Sequence, residues 1–395
     1  MKFNTFFGLL LAILAAVPTG CGKKGSSPDP LPEASVTGAT QDRSTANSTY
    51  RFTVSLSAAS ANPVTLHYAT VAGTAQANTD FVPLDGTLTI PANQLQAQVD
   101  VTVKGDSLRR EDQLFYLQID NPQNCTIASN RGTATIVNKD LLYFPVDNTG
   151  YNAASSYPGY TLAWSDEFSG NSINTANWSF ELGNNNGWGN NELEYYTDRT
   201  QNAFVSSGHL VIEARNESYG GKNYTSTRMI TKNKKVFKYG RIDIRAKLPK
   251  GKGVWPALWM LGNNIDAVGW PSCGEMDIME LLGQEPNKTY GTLHWGATVA
   301  SHASKGTSYT LSSGSFDQQY HVFSLVWKQD DVRVLVDDIE FVRVTTTDVL
   351  GSPYPFNADF FFIFNIAVGG NWPGSPDNTT TFPQRMVVDY IRVYQ

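Results

Sequence analysis

The chain is short of charge. Only 17% of its 395 residues are Asp, Glu, Lys or Arg, and the formal net charge is −6. No basic run extends beyond a few residues. That excludes a nucleic-acid partner, because phosphate binding needs clustered Lys and Arg. Cysteine is scarce too: Cys21, Cys125 and Cys273 complete the set. No two of them have metal-site spacing. A bridge between Cys125 and Cys273 is not implied, and two buried thiols are the plainer reading. Beyond the N-terminus no apolar stretch is long enough to span a bilayer, and no internal repeat is evident. Aromatics, by contrast, reach 12%. Many Trp and Tyr with few charges suit a surface that stacks on neutral rings.

The first residues read as a targeting signal. Lys2 supplies the charge, and Phe6 to Val17 is an apolar stretch too short to cross a membrane. Gly20 and Cys21 follow directly. A small residue immediately before a Cys at this place resembles the bacterial lipoprotein signal, in which the Cys becomes the lipidated first residue. Pro18 departs from that pattern, which usually has an aliphatic residue there. The alternative is a plain secretory signal with an incidental Cys. On the first reading residues 1–20 are removed and Cys21 anchors the protein to a membrane surface through lipid alone. An exported protein of the cell envelope, or a secreted one, is expected on either reading. Residues 21–33, rich in Gly, Ser and Pro, read as a flexible tether.

From 34 to 140 the pattern is of short alternating strands, such as Tyr50-Arg-Phe-Thr-Val-Ser-Leu56 and Gln98-Val-Asp-Val-Thr-Val103, with turn residues about every ten positions. No helical period appears. A β-sandwich of about seven strands is expected. The runs Tyr68-Ala-Thr-Val-Ala-Gly-Thr-Ala75, Gly86-Thr-Leu-Thr-Ile90, Gly105-Asp106, Glu111-Asp112 and Gly132-Thr-Ala-Thr-Ile136 resemble a Calx-β domain. The resemblance implies an immunoglobulin-like sandwich. Some members bind calcium through loop carboxylates, and Asp80, Asp106, Glu111, Asp112 and Asp140 are the candidates here. The alternative is that these are ordinary turn acids, since Asp favours turns for backbone reasons. Residues 141–158 read as a linker. From 159 to 395 longer, more aromatic strands resume, and about 235 residues of β pattern suit one large sandwich or barrel.

Within this second region lies Gly274-Glu-Met-Asp-Ile-Met-Glu-Leu-Leu282. Alternate residues of a strand share a face, so Glu275 and Asp277 point one way while Met276 and Ile278 point into the core. A regular strand would send Glu280 to the opposite face. One β-bulge at Ile278-Met279 brings it back. Three aligned carboxylates repel one another and raise at least one pKa. A polar outer face of an edge strand fits the alternation, but a glycosidase needs this arrangement, with one ionised carboxylate and one protonated carboxyl.

Glu275-x-Asp277-x-x-Glu280 resembles the signature of glycoside hydrolase family 16 in its laminarinase-like form. Trp164-Ser-Asp-Glu-Phe168, Gly187-Trp-Gly-Asn-Asn-Glu192, Gly253-Val-Trp-Pro-Ala-Leu-Trp-Met260, Gly291-Thr-Leu-His294-Trp295, Asn365-Ile-Ala-Val-Gly-Gly-Asn-Trp372 and Asp389-Tyr-Ile-Arg-Val-Tyr394 extend the likeness over residues 160–395 in the family's order. It implies a β-jelly roll with an open cleft that takes a β-1,3-glucan chain in its middle. In it Glu275 resembles the nucleophile, Glu280 the acid/base and Asp277 the assisting acid. Retaining chemistry wants the two carboxyl groups about 5–5.5 Å apart. With the bulge counted, their Cα atoms are about 13 Å apart on a flat strand at roughly 3.3 Å per residue, so sheet curvature and side-chain length must close the gap.

Trp255, Trp259 and Trp372, with Trp188 as a weaker candidate, are expected to stack on sugar rings. Asn191, Glu192 and Arg228 are the candidates for hydroxyl contacts. His294 either reaches the sugar beyond the cleavage point or is a satisfied structural residue. The resemblance implies no cofactor for catalysis, but it does imply a structural calcium with Glu167 and Asp389 as side-chain ligands. A monomer is expected. Mixed-linkage glucan hydrolysis, transglycosylation and glycan binding without hydrolysis remain as alternatives.

Overall fold

The computed structural model describes residues 30–108, 112–138 and 144–395. Two compact units divide them: residues up to Ala39, Thr49–Thr102 and Leu114–Ala134 form the smaller, and Thr40–Ser48, Val103–Gln113 and Thr135–Gln395 the larger. Nearly all regular structure is strand. The one α-helix among the described residues is the single turn Ile265–Val268, and no helix is long and apolar enough to cross a membrane.

Among the described residues nine strands lie between Glu33 and Val137, two more than the pattern predicts. The extra ones are the four-residue pieces Ala39–Asp42 and Thr126–Ser129, too short to show an alternation. One sheet runs Gln96–Val103, Ser48–Leu56, Glu33–Thr37, Thr126–Ser129. The other runs Ala39–Asp42, Arg131–Val137, Gln113–Gln123, Val64–Ala72, Asp85–Ile90. Inward alternation buries Tyr50, Phe52 and Val54 against Phe115 and Leu117, and Phe81 stacks on Phe115 at 4.5 Å.

The loop acids are engaged in turn contacts. Asp80 accepts the Gln76 backbone N–H at 2.8 Å. Asp106 accepts from the Leu108 backbone and from the Arg43 guanidinium at 2.7 Å, and Asp112 from the Asn138 backbone. No metal-binding grouping of these acids occurs among the described residues. Glu111, Asp140 and Cys21 lie outside the described residues. Cys125 and Cys273 are both buried free thiols.

The larger unit holds a ten-stranded and a seven-stranded sheet. The seven run Ser179–Glu181, Arg228–Ile230, Phe360–Val368, Val254–Gly262, Glu275–Leu281, Lys288–Trp295, Ala303–Thr310. Between the sheets sits one core, to which the strand Glu275–Leu281 contributes Met276, Ile278, Met279 and Leu281. Phe362, Phe364 and Ile366 add to it from a second strand of the same sheet, and Ile242, Ile244, Phe323 and Ile391 from the other sheet. At ~25 cal/mol per Å² such burial dominates the stability of the unit. It also leaves the opposite face of the seven-stranded sheet free for polar groups.

The stretch predicted as a linker is, from Phe144 on, packed onto the larger unit. Thr149 and Tyr151 bond the backbone of Tyr320, Phe144 N–H donates to Ser206, and Tyr157 donates to Asp243 at 2.8 Å. Fully buried Arg245 donates to the Tyr151 carbonyl and to Asp389 at 2.7 Å.

Candidate active site

The strand Glu275–Leu281 carries the predicted bulge. Against Lys288–Trp295, Asp277 pairs with Thr292 and Glu280 with Tyr290, so Ile278 and Met279 together face the single residue Gly291. Against Val254–Gly262, Asp277 pairs with Trp259 and Met279 with Leu258. Both bulge residues point into the core, each with no exposed surface. Gly291 packs closely under Phe341 of the other sheet, which an added Cβ would meet at 2.9 Å. The extra residue returns Glu280 to the face of Glu275 and Asp277, and all three line one cleft of about 630 Å³.

The rest of the lining follows from strand register. Trp255, Ala257, Trp259 and Leu261 alternate onto this face from one neighbour, Thr292 and His294 from the other, and Asn365 and Ala367 from the strand beyond. Trp188, Asn190, Glu192, Arg228, Trp270, His302 and Trp372 add to it.

Glu275 and Glu280 each have their own indole donor. Trp270 Nε1–H donates to Glu275 at 2.7 Å, and Trp255 Nε1–H donates to Glu280 at 3.1 Å. His294 Nε2 lies 3.1 Å from Asp277 Oδ2, near enough for charge attraction but out of line for a hydrogen bond. Its other nitrogen is 2.8 Å from His302 Nε2. Burial first, then the charge of Asp277, pushes Glu275 up to about 8, against the pull of His294, the Trp270 N–H and Arg228. Burial pushes Asp277 up to about 8 as well, and its hydrogen bond to Glu275 opposes this. Glu280 is raised well above the usual carboxylate range, by burial and then by both other acids. Those mutual effects mean that the three groups share one space, as the chemistry requires.

On the far side, the Arg228 guanidinium lies between Trp188 at 4.7 Å and Trp259 at 4.8 Å and donates to Glu181 at 2.5 Å. Trp372 is 41% exposed and meets Trp255 and Tyr290 edge-on at 5.5 and 4.9 Å. A flat apolar ring open to solvent is what a sugar face needs. Of the predicted contacts, Glu192, Arg228, Trp255, Trp259, His294 and Trp372 come together. Asn191 does not: it bonds Asn371 at the surface, because its positive φ in the tight Gly187–Glu192 loop turns Asn190 to the cleft instead.

Glu167 and Asp389, the expected calcium ligands, each face a guanidinium. Both oxygens of Glu167 are taken by Arg392 at 2.8–2.9 Å. Asp389 pairs with Arg245, with His209 3.4 Å away. A guanidinium already supplies the positive charge at each acid.

Sequence reasoning missed Trp270, His302, Asn365 and Thr292. Two of these left a signal. Thr292 is two residues before His294 and so shares its face, and Asn365 is the lone polar residue in the buried run Phe360–Val368. Trp270 and His302 come from loops, where no periodicity exists to read.

Comparison with known proteins agrees with this geometry. Residues 190–392 match the model for glycosyl hydrolases family 16, and residues 36–140 the model for the Calx-beta domain. Over 259 residues the chain is 41% identical to glucan endo-1,3-beta-glucosidase A1 of Niallia circulans, which takes in 60% of this chain and 38% of that protein. Over 257 residues it is 39% identical to the beta-glucanase of Rhodothermus marinus, with 62% of this chain and 89% of that protein covered. The structure of the catalytic domain of an endo-1,3-beta-glucanase (laminarinase) from Thermotoga petrophila RKU-1 matches with a TM-score of 0.57 and 51% identity, covering 60% of this chain and 98% of that one. The chain thus spans well under half the length of the first relative and almost all of the solved domain. A bulged strand with three acids on one face, in a region whose family model takes in over half of the chain, identifies this protein as a member of glycosyl hydrolases family 16.

Proposed function

We propose that the protein is a retaining endo-β-1,3-glucanase acting on laminarin-type glucans. The observation that carries this is the bulge, which sets Glu280 beside Glu275 with a separate indole N–H on each carboxyl. Glu280 is pushed well above the usual carboxylate range and keeps its proton for the leaving oxygen. Glu275 has the Trp270 donor and the Arg228 charge to support its ionised form, and in the molecules where it is ionised it attacks the anomeric carbon and forms the glycosyl–enzyme bond. Glu280, now ionised, takes a proton from water, and the water cleaves that bond with overall retention. Asp277, hydrogen-bonded to Glu275, steadies the nucleophile by sharing a proton. No cofactor enters these steps.

Two relatives named for endo-1,3-beta-glucosidase activity, and solved laminarinases at 39–51% identity, support the β-1,3 linkage. A mixed-linkage side activity is the second reading, since a solved non-specific endo-beta-1,3(4)-glucanase is 36% identical. Wild type and Glu275→Ser compared on laminarin, lichenan and agarose test both. Reducing ends from laminarin with wild type alone are expected, and equal activity of the variant would remove Glu275 from its role. The lipoprotein reading of Cys21 places the enzyme at the cell envelope, and Cys21→Ser is expected to release it into the soluble fraction.

A further inference from the structure

Beneath the cleft lies a buried carboxyl group that this reaction does not use. Glu194, on the strand Glu194–Tyr196, has no exposed surface. Its Oε2 accepts the Val368 backbone N–H at 2.6 Å. Its Oε1 meets no donor. The group within hydrogen-bonding reach is the carboxyl of Glu192, which is 6% exposed and lines the cleft. Two buried carboxylates that face each other offer only acceptors, and they repel unless one carries a proton.

The hydrogen bonds around the pair decide which one. Trp259 Nε1–H donates to Asn365 at 2.8 Å. Asn365 donates to the Tyr196 hydroxyl at 3.1 Å, and Tyr196 donates to Glu192 Oε2 at 3.1 Å. Asn190 donates to Glu192 Oε1 at 3.3 Å. The Arg228 guanidinium, itself paired with Glu181, also attracts the Glu192 charge. Every donor in the network and its one cation thus converge on Glu192. Glu194 receives backbone N–H groups and no side-chain donor. Burial and the charge of Glu192 push its carboxyl well above the usual range.

We infer that Glu194 is a positioning residue that works as a neutral carboxylic acid, giving the proton on its Oε1 to Glu192 and so holding Glu192 as the ionised acceptor for a glucose hydroxyl. The glucose part rests on the glucanase reading; the protonation does not. Loss of the shared proton at high pH sets two anions against each other under Tyr196 and Asn365. Sugar binding then weakens for a reason separate from the catalytic acids.

The test uses the full chain in a Glu275→Ser background, so that hydrolysis does not intervene. A β-1,3-linked glucose tetrasaccharide is titrated calorimetrically near pH 6 and near pH 9. Glu194→Gln keeps an N–H donor but does not titrate, and Glu194→Leu removes the donor. The parent Kd is expected to weaken at least about tenfold with rising pH, as a lost shared proton requires. The Gln variant is expected to weaken at least about fivefold less than its parent, since only the titration of Asp277 and Glu280 remains in it, and Leu to bind about tenfold more weakly at both pH values, since hydrogen bonds to charged groups are the strong ones. A Gln variant that weakens with pH like its parent, or a Leu variant that binds like its parent, overturns the inference. Infrared difference spectra of parent and Glu194→Gln at neutral pH need no sugar. Loss of one protonated-carboxyl band is expected, and its persistence overturns the inference even if no saccharide binds.

Discussion

Replacing Glu275 by Gln removes a charge that the fold disfavours. The carboxyl is raised from 4.5 to about 8 by burial and by Asp277. Below the lower value, native and unfolded states are both protonated, and the substitution changes little. Between 4.5 and about 8 the unfolded chain ionises while the native chain holds its proton, so native stability falls as pH rises. Above that range the loss is complete. A span of about 3.5 pH units, at ~1.4 kcal/mol each, sets an upper bound of roughly 5 kcal/mol on the cost of charging Glu275 in the fold. Asp277 and Glu280 share protons with it, so the gain from the variant is smaller, about 2 kcal/mol, or roughly 4–8 °C in Tm. The Gln side-chain oxygen still accepts the Trp270 N–H. All nine Trp residues lie at or beyond Trp164, so intrinsic fluorescence reports the larger unit alone. Thermal melts should show the gain near pH 8 and almost none near pH 4.5. Equal stabilisation at both pH values, or destabilisation near pH 8, would refute the reasoning.

Other expectations follow from single contacts. Asp277→Asn removes a charge that raises Glu275; the acid limb of kcat/KM should move to lower pH while kcat falls by about a hundredfold, as for loss of an orienting group. Trp255→Phe deletes the donor that lowers Glu280; kcat should drop about tenfold and the alkaline limb should move up, both read from pH–rate profiles. Deletion of Met279 restores plain alternation and leaves Glu275, Asp277 and Glu280 on one face; the chain should still fold, with stability lowered by about 2–5 kcal/mol for the lost core side chain, read from a thermal melt. Arg228→Lys keeps the charge but not the planar contact between Trp188 and Trp259; KM should rise several-fold with little change in kcat, since the two cations are not interchangeable at stacked sites.

The parts legible in the sequence were those with a period. Alternation along Glu275–Leu281 placed Met276 and Ile278 in the core, and the failure of Glu280 to fit that alternation located the bulge. Alternation also defined most strands of both units. Loops hid the rest. Trp270 and His302 depend on the paths of the segments around Pro271 and Ser301, and Asn191 and Asn190 exchange roles through one positive φ. The charge partners of the expected calcium ligands were hidden for a different reason. A sequence shows Glu167 and Asp389 as bare acids, but Arg392 and Arg245 reach them from neighbouring strand positions. The segment from Phe144 to Pro158 looked like a linker because its composition is that of a loop, yet its backbone bonds and buried partners make it part of the larger unit.

The central claim is that Glu275 attacks and Glu280 protonates on one face of a bulged strand. Proton NMR of laminarin hydrolysis, recorded before the released sugars equilibrate, tests it most directly. The β-anomer is predicted as the first new reducing end, as a covalent glycosyl–Glu275 intermediate requires. The α-anomer as first product would contradict the account.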